Sequence, residues 1–141
     1  MANTTFREKV KKVNEFLKVY EPKGNYTHDH KGYSGYKPQW VIDAVNKEFQ
    51  HQWGIEVVSM RILPATEQRK FETGLVHVRV SFYDDKNPVE IVRSIDAIAS
   101  HPSVQGDIGD ALKSAQTDAM KKAFAHFSIG NRAYHGLLPK K

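Results

Sequence analysis

The sequence predicts an α+β fold: a three-stranded antiparallel β-meander packed on a long C-terminal helix, with further helices at the N-terminus. Three observations predict it. Over residues 75–83, Val76, Val78, Val80 and Phe82 alternate with His77, Arg79, Ser81 and Tyr83, the pattern of a strand with one wet face. Such a face belongs to an antiparallel sheet with helices on one side only. Near the C-terminus, Leu112, Ala115, Ala119, Met120, Ala123, Phe124 and Phe127 fill about half of a helical circumference at ~100° per residue. Finally, residues 55–63 are a β-branched and apolar run that Pro64 closes.

The elements follow in order. Thr5-Phe-Arg-Glu8 has the form of a capping box. Behind it Phe6, Val10, Val13, Phe16, Leu17 and Tyr20 predict a helix over about 5–20, whose other face carries Arg7, Lys9, Lys11, Lys12 and Lys18. Residues 21–37 hold three glycines, three tyrosines and two histidines with no period, which predicts a loop. Pro38 suits a first helical turn, and Val41, Ile42, Val45 and Phe49 extend that helix to about Gln52. Trp40 is expected to pack over the rim of the core. Between the first two strands, PATEQRKFET predicts a flexible polar hairpin loop. Asp84-Asp-Lys-Asn87 predicts a turn, Val89, Ile91 and Ile95 a third strand, and residues 99–107 another loop. The last helix is expected to start between Asp107 and Asp110 and to stop at Gly130, a residue suited to a left-handed turn.

With 141 residues, 40 % of them hydrophobic, the chain holds one core and is read as one domain, 1–141. It has no cysteine, which excludes disulfides and thiolate metal sites and predicts a reducing compartment, the cytoplasm. No apolar run predicts export or membrane insertion. The net charge of +5 is uneven: residues 1–40 carry eight Lys and Arg against four Asp and Glu, residues 41–109 seven against ten, and residues 110–141 six against two. Basic ends point to a polyanionic partner.

Lys113, Thr117 and Lys121 lie on one line of the last helix, at one edge of its apolar stripe, and Lys122 flanks the other edge. Ammonium groups along a helix edge suit a phosphate backbone. The plainer alternative is an ion pair from Asp118 to Lys122, worth a few tenths of a kcal/mol. Lys121 and Lys122 project ~100° apart and cannot serve that pair equally, so Lys121 is the better backbone candidate. A second group, Tyr26, His28, His30, Lys31, Tyr33, Tyr36, Lys37 and Trp40, interleaves cations with rings, as single strands require: bases stack on rings and charges follow the backbone. His28-Asp29-His30 lacks the spacing of a metal site, and Asp84-Asp85 reads as a turn. There is no phosphate-cradling GxxxxGK[ST] segment. A metal-dependent nuclease using His28, His30 and Asp84 therefore ranks last, and no catalytic residue, metal or cofactor is predicted.

Residues 106–123, GDIGDALKSAQTDAMKKA, followed by 127–130, FSIG, resemble the closing helix motif of the Rad-fifty-two-type single-strand annealing superfamily, in its phage or bacterial DNA-damage-response branch. Tyr36 followed by Val41-Ile-Asp-Ala-Val-Asn46-Lys-Glu-Phe49 is similar to the family's aromatic residue and its V-I-N-x-x-N-x-x-F helix, and Val78-Arg79-Val80 matches a middle-strand motif. The resemblance is strongest over 36–130. It implies a ring or partial-ring homo-oligomer holding single-stranded DNA in a basic outer groove. The implied function is ATP-independent annealing of complementary strands in recombination and repair, beside a single-strand-binding protein or an exonuclease, in a bacterial or phage-infected cell. By the same resemblance Lys121 and Lys122 contact the backbone deep in the groove, and Lys113 and Tyr36 correspond to further contact positions; Lys37 is a nucleic-acid candidate from the group of cations and rings above. Arg69 or Lys70 belongs to an outer path, and Arg79 is a further contact. Lys122 stands in place of an arginine, Asp43 of an asparagine, and Gln50 and Ser128 of glycines. The alternative function is a duplex or double-stranded RNA module, which MKKAF echoes; in those domains the lysines sit at the helix start.

Overall fold

A computed structural model describes residues 2–19, 26–28, 34–87, 89–104 and 106–130. Its elements are α1 (Ala2–Val19), β1 (Tyr26–His28), β2 (Ser34–Tyr36), α2 (Pro38–Phe49), β3 (Trp53–Leu63), β4 (Thr73–Tyr83), β5 (Ile91–Pro102) and α3 (Ile108–His126). The expected meander is present, in the antiparallel order β3-β4-β5. Val76, Val78, Val80 and Phe82 are buried beneath α3, while His77 and Arg79 point to the other, wetter face.

Several boundaries differ from expectation. The segment 21–37 is not all loop: β1 and β2 form an antiparallel hairpin, with Tyr26 opposite Tyr36 and His28 opposite Ser34. Helix α1 starts three residues before the anticipated cap, because nothing in Ala2-Asn-Thr4 opposes a helix. Strand β5 takes in the first four residues of the loop expected at 99–107. Its ladder to β4 runs on to Thr73 opposite Pro102, and Ala97 and Ala99 turn small side chains to the helix. Ala115, Ala119 and Ala123 answer from α3, so helix and sheet approach closely. Gly74 is part of this fit: a Cβ there would stand 2.9 Å from Leu112 Cδ2.

Two ends are closed by residues other than glycine. Helix α2 stops at Phe49 rather than near Gln52, because Gln50 takes φ 52° and ψ −120°. The Gln52 amide then donates to the Phe49 carbonyl at 2.9 Å. Helix α3 stops at His126 rather than Gly130. Ser128, at φ 65°, makes the left-handed turn, with Ser128 N–H donating to Ala125 O and Ile129 N–H to Phe124 O, both at 2.9 Å.

An aromatic cluster locks the layers together. Phe6 of α1 meets Phe49 of α2 at 5.7 Å, Phe82 of β4 at 5.2 Å and Phe127 after α3 at 6.0 Å. Each such pair adds about 0.5–1.5 kcal/mol beyond burial. Trp40 packs at the core rim as expected, stacked on Phe16 at 4.8 Å. Asn14 ties α1 to the end of α3: its amide nitrogen donates to Ser128 O at 2.7 Å and its oxygen accepts from Gly130 N–H at 2.8 Å.

Candidate nucleic-acid interface

Two contacts fix how α3 is rotated on the sheet. Phe124 meets Trp53 of β3 with ring centroids 5.6 Å apart, and Lys122 donates from Nζ to the Ile98 carbonyl of β5 at 3.4 Å. At ~100° per residue Lys113 and Thr117 lie about 40° apart on one side of α3, the side that shares a depression with His101 of β5. Lys121 comes one step further round toward solvent, and Lys122 is on the opposite flank.

Helix α3 is capped by Asp107, whose carboxylate accepts from the Asp110 amide at 3.1 Å. This cap sets the phase of all that follows. The ion pair from Asp118 to Lys122 is not formed. Among the described residues, Lys113, Lys121 and Lys122 have no carboxylate within 4.0 Å. Lys113 and Thr117 also border a shallow open depression of about 380 Å³, together with His101, Asp110, Ser114 and Asp118. Its walls are of mixed sign, and Lys121 lies outside it.

The other expected contacts are scattered. The Tyr36 ring is 3 % exposed, lies in the core beside Gly130, and has no free face for a base to stack on. The neighbouring Lys37 is exposed at the start of α2, where its carbonyl accepts from the Trp40 and Val41 amides at 3.0 and 3.3 Å. The side chains of Tyr26, His28, His30, Lys31 and Tyr33 lie outside the described residues. Arg69 folds back on its own loop, its Nε and Nη2 donating to the Pro64 carbonyl at 3.1 and 2.7 Å. Lys70 is exposed, its ammonium 5.8 Å from the Phe71 ring.

Arg79 stands apart from the rest. It lies on the sheet face away from α3, and its guanidinium is engaged by Asp96 at 2.7 and 3.1 Å and by Glu56 at 3.5 Å. These neighbours raise the Arg79 pKa, chiefly through its hydrogen bond to Asp96. The sheet separates Arg79 from Lys121, so the two cannot line one groove within a single copy. His77 also reaches Asp96, at 2.8 Å. This three-strand network was not read from the sequence, although Glu56, His77, Arg79 and Asp96 all fall on the wet parity of their strands.

Asp84 behaves as the turn residue expected: its Oδ1 accepts from the Lys86 and Asn87 amides at 2.8 and 3.0 Å. No cluster of three or more metal-ligating side chains occurs among the described residues.

A family model described as Rad52/22 family double-strand break repair protein matches residues 9–137, most of the chain. No curated protein matches it.

Proposed function

The chain belongs to the Rad52/22 family of double-strand break repair proteins, and from that premise we propose that it binds single-stranded DNA and anneals complementary strands without ATP. Membership places it in DNA repair and recombination. The single observation that carries the finer reading is the set of unpaired lysines on α3. Lys113 and Lys121 follow one line down the helix, spaced for a sugar-phosphate chain and with no carboxylate to neutralise them.

In this reading the protein makes and breaks no bond. Cations on α3 hold a strand extended and lower the repulsion between two strands. Duplex formation supplies the driving free energy, and the protein contributes proximity and orientation. The setting proposed is the cytoplasm of a bacterial or phage-infected cell. The duplex-binding alternative is less well supported, because Lys121 is the fourteenth residue of a helix that starts at Ile108.

The test is annealing of two complementary labelled oligonucleotides, followed by energy transfer, with no nucleotide added. The proposal expects the protein to speed pairing at least tenfold over the spontaneous rate, and unlabelled duplex to compete weakly. Spontaneous-rate pairing, or stronger competition by duplex than by single strands, would reject it.

A further inference from the structure

Beside its lysine line, α3 carries two carboxylates left without a partner. The ion pairs among the described residues all belong to the Arg79 network on the opposite face of the sheet. Asp110 stands three residues before Lys113, and Asp118 three before Lys121 and four before Lys122, the separations at which helix pairs form. None of these pairs closes, and Lys122 turns instead to the Ile98 carbonyl at 3.4 Å. Nor does a side-chain hydrogen bond among the described residues engage either carboxylate. Asp110, in the first turn, suits the helix dipole; Asp118, in the middle of the helix, has no such reason to be acidic.

Both carboxylates line the open depression of about 380 Å³, together with Lys113, Ser114 and Thr117. His101 of β5 completes the lining, its ring held by Nδ1 donating to the Pro102 carbonyl at 3.2 Å. All of these side chains are polar, so an apolar ligand gains little by entering. A phosphate would meet two carboxylates. A metal ion lacks ligands, since no cluster of three metal-ligating side chains occurs among the described residues. What the lining matches is a flat, neutral group with donors and acceptors along one edge, which is a nucleobase. The volume of about 380 Å³ is near the lower end of ligand sites, a size for one base and its sugar.

We infer that this depression takes the pairing edge of one unpaired base bearing an amino group (cytosine, adenine or guanine) while Lys113 and Lys121 hold the neighbouring phosphates. Lys113 belongs both to the lysine line and to the depression, so a strand held on that line brings its bases to the carboxylates. A carboxylate accepting from the cytosine N4 amino group is an ordinary base contact. Thymine presents a carbonyl oxygen in the same place, which a carboxylate repels. Pairing with a complement occupies the amino group, so the contact exists before annealing and is given up as the duplex forms. The inference rests on the strand-binding reading of α3 proposed above and adds selectivity to it. Lysines fix the backbone without regard to sequence; the carboxylates choose the base that sits beside them.

The test is fluorescence anisotropy with the full chain and equal-length oligomers of deoxycytidine, deoxyuridine and thymidine, at mildly alkaline pH so that the cytidine oligomer does not self-pair. Wild type is expected to bind the cytidine oligomer at least about fivefold more tightly than the other two, the least that one good base contact is worth. Asp118→Asn offers thymine a donor in place of a negative charge, so the gap should shrink, and Asp110→Asn/Asp118→Asn should close it. Loss of negative charge strengthens binding of every strand, so the ratio between oligomers is the readout. The wild-type comparison needs no variant and stands even where a substitution unfolds the chain. Equal affinity of wild type for all three oligomers, or a gap that survives in a folded double variant, would overturn the base site and leave the annealing reading in place. Deoxyuridine binding as tightly as deoxycytidine would also overturn it, because the thymine methyl group would then decide the preference. Failure of wild type to bind any of the three would reject the strand-binding reading itself.

Discussion

Arg79 and Asp96, on adjacent strands, grip each other at two points, with Nε to Oδ1 at 2.7 Å and Nη2 to Oδ2 at 3.1 Å. The Arg79 hydrogen bond, and after it that of His77, lowers the Asp96 pKa from 3.8 to about 2. A carboxylate whose folded pKa is depressed adds stability above its unfolded value and loses it as pH falls through its folded value. The melting temperature of wild type should therefore exceed that of Asp96→Asn at neutral pH, and the gap should close as pH falls from about 4 toward 2. A gap constant over that window would contradict the assignment.

Arg79 should also be dispensable for strand binding. Its charge is met by Asp96 and Glu56 on the face away from α3. Arg79→Ala is expected to lower thermal stability and to leave single-strand affinity within about twofold of wild type, read by fluorescence anisotropy. A loss as large as that of Lys121→Ala would return Arg79 to the interface.

What the sequence made legible was what side-chain parity encodes. The buried side of β4, the apolar stripe of α3 and the lysine line beside it all follow from period 2 or period 3.6. What stayed hidden depends on contacts distant in sequence. Tyr36 reads as an exposed ring until Gly130 is found against it. Arg79 reads as a free cation until β5 brings Asp96 beside it. The run from Ile55 to Ile62 reads as ordinary strand core, because only the placement of α3 over β4 and β5 shows that β3 is left uncovered.

Gln50 and Ser128 hold positive φ without being glycine, at 52° and 65°. Gln50 occupies the first central position of a tight turn, with ψ −120°, a conformation that strongly favours glycine. Gln50→Gly should stabilise the fold by about 1 kcal/mol, since relieved strain outweighs the extra freedom of the unfolded chain. Ser128→Gly should give a smaller gain. Denaturant midpoints measure both, and a decrease at Gln50 would show that its side chain contributes more than the turn costs.

Asn14 joins the first helix to the end of the last through a donated and an accepted bond, at 2.7 and 2.8 Å. Asn14→Ala removes both and should cost about 1–3 kcal/mol. Asn14→Asp keeps the acceptor for Gly130 N–H and loses the donor to Ser128 O, so it should lie between wild type and alanine. Equal stability of all three proteins in chemical denaturation would show that the tie is not formed in solution.

The central claim is that the cationic edge of α3 carries the DNA backbone. Its most direct test is the salt dependence of single-strand binding by wild type and by Lys113→Ala/Lys121→Ala. Each backbone cation removed should flatten the slope of log affinity against log salt by about 0.7, so the double variant should lose roughly 1.4, with an unchanged melting temperature. A double variant with the wild-type slope and affinity would contradict the account.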